Sequence, residues 1–212
     1  MSDPFEQIRK EMANKQNAIT NCKKNEVLLE LASKPIPNSY MYMWGYPHGS
    51  PYTAVKVPLY RLHMYTKDKK GYYFKVCRFG PRCVIDKKGN TILSVAGLAD
   101  QQVHKLTWYK EYILHSTDKA ENGAWIVTGN FLIHDGPDTC SMDDMYGTAG
   151  CLEVFGHKGF SVFNQKMLEL SGESELKKVK AKITYHKAVR PKIKDYNIYD
   201  TRTGELYNRG IL

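Results

Sequence analysis

The sequence lacks any long apolar segment and several of the motifs that mark common enzyme classes. No apolar run approaches the roughly 18 residues that a membrane-spanning helix needs, so we expect no transmembrane segment. Residues 1–24 are polar and contain no apolar stretch of the signal-peptide type, which predicts a protein made in the cytoplasm without that signal. A Gly-rich phosphate loop and a Gly-x-Ser-x-Gly turn are also absent, which argues against nucleotide hydrolysis and against serine hydrolases of that type.

Motifs for metal and nucleic-acid binding are missing as well. His134, Asp135, Asp138, Asp143 and Asp144 cluster along the chain, but not at the spacing of a zinc, EF-hand or His-Glu-x-x-His site, so we predict no metal and no cofactor. The net charge is +9 and comes mainly from dispersed lysines, without an arginine–aromatic pattern or a helix-turn-helix. Solvated lysine-rich faces explain this charge more simply than nucleic acid, which we do not expect as a partner.

The length and composition are those of an ordinary globular protein: the chain has 212 residues, enough to bury a core without disulfides. Asp3 and Pro4 form a helix-opening pair, and apolar spacing predicts helices from there to Ser33. Prolines at 35 and 37 then end the pattern. We therefore predict an N-terminal helical extension over residues 1–38, a catalytic domain over 39–190 and a C-terminal tail over 191–212.

The central region alternates apolar and polar residues between Gly, Pro and Asn turns, which is typical of β hairpins. The predicted strands cover residues 55–65, 72–79, 91–95, 108–115, 124–128, 130–134 and 180–188, and residues 152–155 form a further apolar run. Residues 159–171 instead show helical spacing, and Gly172 follows as a C-cap. The predicted fold class is mainly β (α+β), with the N-terminal helical segment and one helix after residue 151.

Residues 129–156 carry the clearest chemical pattern. A short apolar strand ends in His134, a sharp turn and an acidic loop follow, and Gly147-Thr148-Ala149-Gly150 leads into Cys151. A histidine at a strand end is held by the sheet, and a nearby imidazole accepts a thiol proton and activates the sulfur. Backbone amides in a turn of small residues suit a developing oxyanion. The odd count of five cysteines leaves at least one thiol outside any internal disulfide.

These segments resemble the catalytic motif of the L,D-transpeptidase (YkuD-type) cysteine enzymes. Ile133-His134-Asp135-Gly136 resembles the first part of the motif, and Thr148-Ala149-Gly150-Cys151-Leu152 resembles the second. The resemblance implies a YkuD-like β-sheet or sandwich domain, Cys151 as nucleophile, His134 as base, and the amides of Gly150 and Cys151 in the oxyanion hole. One position departs from the family, which usually has histidine where this chain has Ala149.

Short phrases around the motif are similar to bacterial proteins found beside type VI secretion and polymorphic-toxin systems. They include Arg78-Phe79-Gly80, His115-Ser116 and the run from Gly129 to Pro137. The resemblance implies an antibacterial effector that cuts or caps peptidoglycan stem peptides. It also implies a secretion-system carrier, an acidic immunity protein and action in the periplasm of a target bacterium.

Five further residues are candidates beside the main pair. Asp135 either orients the base, binds a substrate amine or caps its turn. His115, Thr148, Gly136 and Trp125 are predicted to contact substrate, although His115 also suits a structural role and Trp125 core packing.

Two other functions stay open from the residues alone. One is a different cysteine hydrolase, such as an amidase or deamidase toxin that acts on a protein. The other is a non-enzymatic β module that binds an acidic partner, with Cys151 buried as a small apolar residue.

Overall fold

The computed structural model describes residues 25–47, 49–111 and 120–207, and this part of the chain is mainly β, as predicted. The strands, in chain order, are β1 (Val27–Met43), β2 (Thr53–Thr66), β3 (Lys69–Cys77), β4 (Gly80–Ile85), β5 (Thr91–Ala96), β6 (Gln102–Tyr109), β7 (Ala124–Thr128), β8 (Phe131–Asp135), β9 (Leu152–Phe155), β10 (Ala181–Tyr185) and β11 (Asn197–Asp200). The helix α1 (Gly159–Ser171) lies between β9 and β10, and short 3₁₀ turns span Leu176–Lys178 and Ile193–Asp195.

Nine strands form one sheet in the order β1-β10-β6-β7-β8-β9-β3-β2-β11, and β1 also pairs with β2. Because β1 pairs with β10 on one side and β2 on the other, eight strands close into a ring. Strand β11 pairs with the first residues of β2, before the part of β2 that pairs with β3. Closure satisfies backbone groups that an open edge would leave unpaired. The hairpin of β4 and β5 forms a separate two-stranded sheet.

Two apolar clusters fill the fold. The larger one includes Trp125, Ile133 and Val154 from the sheet with Phe160 and Phe163 of α1. The smaller one is built from Met41, Met43, Val55, Val57, Leu59, Cys77, Tyr196 and Ile198. The first half of β1 and the second half of β2 belong to the larger cluster, and their other halves belong to the smaller one. Val76 and Cys77 of β3 belong to different clusters, because successive residues of a strand point to opposite faces.

Helix α1 has the bounds that the sequence predicts. Phe160, Phe163, Met167 and Leu170 are buried on one face, and Gly172 ends the helix at a φ of 72° with its N–H bonded to the Leu168 carbonyl. Strand β7 also has its predicted bounds, and β2, β3, β5, β8 and β10 overlap predicted strands but differ from them at the ends. The apolar run 152–155 forms strand β9. No helix in the described residues is long and apolar enough to cross a bilayer.

The helix predicted up to Ser33 is wrong from Val27 onward, because this segment is strand β1. Val27, Leu29 and Leu31 are buried while Leu28 and Glu30 are half-buried, which is the two-residue period of a strand. A leucine-rich run suits either structure locally, and pairing with β10 and β2 decides in favour of the strand. The predicted helix over residues 3–24 lies outside the described residues.

Strand β1 also spans residue 38, where the sequence predicts a domain boundary, although its register against β2 shifts between Leu31 and Tyr40. The predicted tail likewise contributes strand β11 and the buried Tyr196, whose hydroxyl donates to the Phe79 carbonyl at 3.0 Å. The strand predicted over 108–115 instead spans Gln102–Tyr109, and residues 112–119 lie outside the described ones.

Candidate functional site

The parallel pairing of β8 with β9 builds the centre of the candidate site. Its register places His134 opposite Glu153 and Ile133 opposite Leu152. Ile133 and Leu152 belong to the cluster beneath α1, so His134 and Glu153 share the other face of the sheet. Cys151 directly precedes β9, and its sulfur lies 3.6 Å from the Asn130 carbonyl oxygen just before β8. The two halves of the sequence motif therefore meet at adjacent strands.

His134 is held in one tautomer by the backbone. Its Nδ1 lies 2.7 Å from the carbonyl oxygen of Asp135, and a carbonyl only accepts, so the hydrogen is assigned to Nδ1. That assignment leaves the lone pair on Nε2, the atom with which the ring takes up a proton. The side chain is also buried, which restricts its rotation. This arrangement suits a general base fixed by the sheet.

Cys151 is partly exposed at the start of β9, in contrast to the buried Cys77 and Cys83. Burial of the sulfur raises the pKa of the Cys151 thiol, and hydrogen bonds from the Leu132 backbone and the Thr148 side chain lower it in part. The thiol is therefore protonated near neutral pH and needs a base to become a nucleophile. Chemistry at this sulfur depends on a proton acceptor close by.

The turn before Cys151 is fixed by its own side chain. Thr148 is 2% exposed, and its Oγ1 accepts a hydrogen bond from the Cys151 N–H at 2.9 Å. The predicted substrate contact of Thr148 is therefore not supported, because the hydroxyl lies inside the turn. The Cys151 amide is engaged as well, so it reaches an oxyanion only if Thr148 releases it.

Glycine at position 150 allows this turn to press against the β4–β5 hairpin. Gly150 has a φ of 105°, and a Cβ there would lie 2.6 Å from the backbone nitrogen of Gly97, which follows β5. A Cβ on Gly80 would likewise meet the Thr148 methyl group at 2.4 Å. The role of Gly150 in this geometry is close backbone approach, and its predicted oxyanion contact stays a prediction.

Glu153 is the site residue that the sequence analysis missed. It is fully buried, and neither carboxyl oxygen has a hydrogen-bond partner among the described residues. Burial raises the pKa of Glu153 to about 8, the charge of His134 lowers it, and Cys151 raises it further. A signal existed in the sequence, since Glu153 is the lone charged residue in the otherwise apolar run Leu152–Phe155.

Asp135 and Gly136 complete the end of β8. The Asp135 side chain lies on the face opposite His134 and accepts a hydrogen bond from the Glu121 N–H at 2.9 Å. Asp135 contacts the His134 ring through its backbone carbonyl instead. Burial raises the pKa of the Asp135 carboxyl to about 6. Gly136 is buried against β9, where a Cβ would lie 2.9 Å from that of Glu153, so its predicted substrate contact gains no support.

The structure contradicts the substrate-binding role predicted for Trp125. Its side chain is fully buried in the larger cluster, and its Nε1 donates to the Asn164 side chain at 2.9 Å. Trp125 pairs with Ile133 of β8 and belongs to the same cluster, so its side chain lies on the face of the sheet opposite His134 and Glu153. His115, the other predicted contact, lies outside the described residues.

The carboxylates of the acidic loop between His134 and Cys151 form hydrogen bonds within the loop and with residues 157 and 158. Asp144 accepts hydrogen bonds from the Thr139 N–H and hydroxyl, and Asp138 pairs with His157 and the Lys158 N–H. Within residues 25–47, 49–111 and 120–207, no group of three or more His, Cys, Asp or Glu side chains is arranged to hold a metal ion.

Comparison of the chain with models of known protein families, with curated proteins and with solved structures finds no match. The function is therefore argued from the site itself.

Proposed function

We propose that this chain is a cysteine enzyme of the L,D-transpeptidase type that acts on peptidoglycan stem peptides, with Cys151 as nucleophile and His134 as base. The observation that carries the proposal is the parallel pairing of β8 with β9, which joins the two halves of the motif. It sets Cys151 beside the first residues of β8 and a tautomer-fixed histidine at the end of that strand. We also propose that the closed sheet is a variant of the YkuD-like catalytic domain.

In the proposed reaction, His134 takes the thiol proton and the Cys151 sulfur attacks the carbonyl of the L-centre at stem position three. The sulfur–carbon bond forms, the peptide bond to the terminal D-residue breaks, and the imidazolium returns its proton to the leaving amine. Water then hydrolyses the thioester in a carboxypeptidase cycle, or a second amine displaces the sulfur in a transpeptidase cycle. Both cycles restore the thiol.

The wider biological setting is part of the same proposal. We infer an antibacterial effector carried by a specialised secretion system to the periplasm of a rival, with an acidic immunity protein as its inhibitor. A net charge of +9 supports attraction to acidic stem peptides and anionic envelope polymers as well as to such an inhibitor.

The proposal is tested by incubating the protein with purified muropeptides that carry tetrapeptide stems and following their masses. We expect loss of one terminal D-alanine, or its exchange when a D-amino acid is added. Cys151→Ala should lower turnover on the order of 10³-fold or more, and His134→Gln by about 10²–10⁴-fold.

Cys140→Ala is the matched control, because this thiol is exposed in the loop that precedes Cys151. It should keep full activity. Unchanged muropeptides with a Cys151 that still reacts selectively with iodoacetamide would favour another cysteine hydrolase. A Cys151 that reacts no faster than buried Cys77 would exclude the enzyme and favour the binding module.

A further inference from the structure

We propose that Glu153 is a positioning residue of this site, whose carboxylate stabilises the positive charge that His134 takes up with the Cys151 proton. This inference rests on the proposed roles of Cys151 and His134. It goes beyond the motif that defines those roles, since Glu153 lies outside the residues on which the resemblance is based.

The register of three strands places Glu153 at the middle of the site. It pairs with His134 of β8 on one side and with Cys77 of β3 on the other, so the three side chains share one face. Gly136, two residues after His134, closes over it, since a Cβ at that position would touch the Glu153 Cβ. The carboxyl group is thus enclosed directly beside the imidazole.

Apart from His134, the surroundings of the Glu153 carboxyl group provide no interaction that would compensate for its burial among the described residues. A buried charge without hydrogen bonds costs several kcal/mol, so an apolar residue would serve the core better. Both carboxyl oxygens lack a hydrogen-bond partner in the part of the chain that the structure describes. A group kept in such a place is best explained by a charge that arises there during the reaction.

His134 is the source of that charge. The titratable groups that face or lie near Glu153 are His134 and Asp135 from β8, Cys77 from β3, Cys151 from the turn and Tyr146 from the loop. Of these, His134 alone becomes positive, and the others become negative on ionisation. The attraction between Glu153 and His134 also outweighs the repulsion between Glu153 and Cys151.

The proton steps balance without another reactant. The Cys151 S–H bond breaks, its electron pair stays on sulfur, and the proton goes to His134. Glu153 exchanges its own proton with water according to pH and forms no covalent bond. With its pKa raised to about 8, the carboxyl group is largely neutral at pH 7 and ionised at pH 9. The electrostatic stabilisation of the His134 imidazolium by Glu153 therefore grows as the pH rises through about 8.

The test is the rate at which iodoacetamide alkylates Cys151 between pH 6 and 9, measured by peptide mass in the full-length protein. In the wild type we expect an extra rise centred near pH 8. Glu153→Gln should lack this rise and react about tenfold more slowly at pH 9, the factor that corresponds to one pKa unit. Glu153→Asp should restore part of it, which a purely structural role would not do.

A second readout needs no variant that could misfold. The carbon-13 signal of the His134 ring in the wild type should shift with an inflection near pH 8 as Glu153 ionises beside it. Alkylation profiles that superimpose for the wild type and Glu153→Gln, or a His134 signal without that inflection, would overturn the role of Glu153 alone. A wild-type Cys151 that reacts no faster than buried Cys77 would overturn both this role and the proposed function.

Discussion

At the scale of single residues, burial decides what each candidate group does. Cys151 keeps partial exposure and is a reactive sulfur only with a base beside it. Asp135 contributes a backbone carbonyl to the site while its side chain lies on the other face. Trp125, an apparent cleft residue in the sequence, is part of the core. The residue types suggested which side chains could belong to the site, and their positions in the sheet decided which of them do.

Thr148 provides a direct test of how the turn before Cys151 is held. Replacing Thr148 with Val keeps the shape and removes the hydroxyl that accepts the Cys151 N–H. We expect a loss of about 1–3 kcal/mol in the free energy of unfolding, because a partly buried donor loses its partner. Urea denaturation measures this loss.

Thr107→Val on the exposed face of β6 is the control for the chemical change itself. It should alter the free energy of unfolding by less than about 0.5 kcal/mol. Equal stability of the two variants would mean that the Thr148 hydroxyl does not hold the turn.

At the scale of elements, the buried Arg78 joins segments that are distant in sequence. Its guanidinium is fully buried and donates to the carbonyls of Ala32 at 2.8 Å, His186 at 2.7 Å, Leu98 at 3.1 Å and Ala99 at 3.4 Å. The group thereby ties β1, the loop after β5 and the end of β10 together. That loop begins at Gly97, against which the turn at Gly150 packs, so Arg78 supports the site from behind.

We therefore expect Arg78→Lys to be strongly destabilising although it keeps the charge. Lysine lacks the planar fork and cannot reach four carbonyls, so buried acceptors lose their donors. The expected cost is about 3 kcal/mol or more in the free energy of unfolding, measured by urea denaturation. Arg82→Lys, at an exposed position of β4, should cost less than about 0.5 kcal/mol. A similar stability for both variants would contradict this role of Arg78.

At the scale of the whole molecule, the two buried carboxyl groups make folding depend on pH. The pKa of Glu153 is raised from 4.5 to about 8 and that of Asp135 from 3.8 to about 6. The folded state thus binds these protons more tightly than the unfolded chain. Stability is greatest below the unfolded pKa values and falls as the pH rises, with Glu153 alone of the two still contributing between pH 6 and 8.

We expect the free energy of unfolding to fall between pH 6 and 8 with a slope that approaches about 1.4 kcal/mol per pH unit. Glu153→Gln should remove most of this slope, because the amide does not titrate. Urea denaturation at a series of pH values measures it, with Glu205→Gln at an exposed position as control. A slope that is the same in Glu153→Gln and the wild type would show that the pKa of Glu153 is not raised in the folded protein.

The sequence by itself determined the β-rich class, the bounds of α1, and the positions of His134 near a strand end and of Cys151 after a turn of small residues. These features depend on local periodicity, on Gly172 as a helix end and on the turn from Gly147 to Gly150, which neighbouring residues dictate.

The tertiary structure alone decided the rest. Strand β1 has a leucine-rich run that suits a helix equally well, and only pairing with β10 and β2 fixes it. The place of Glu153 between His134 and Cys77 depends on the register of three strands that are distant in sequence. Register and burial are non-local quantities, because one position of slip turns every side chain to the other face of the sheet.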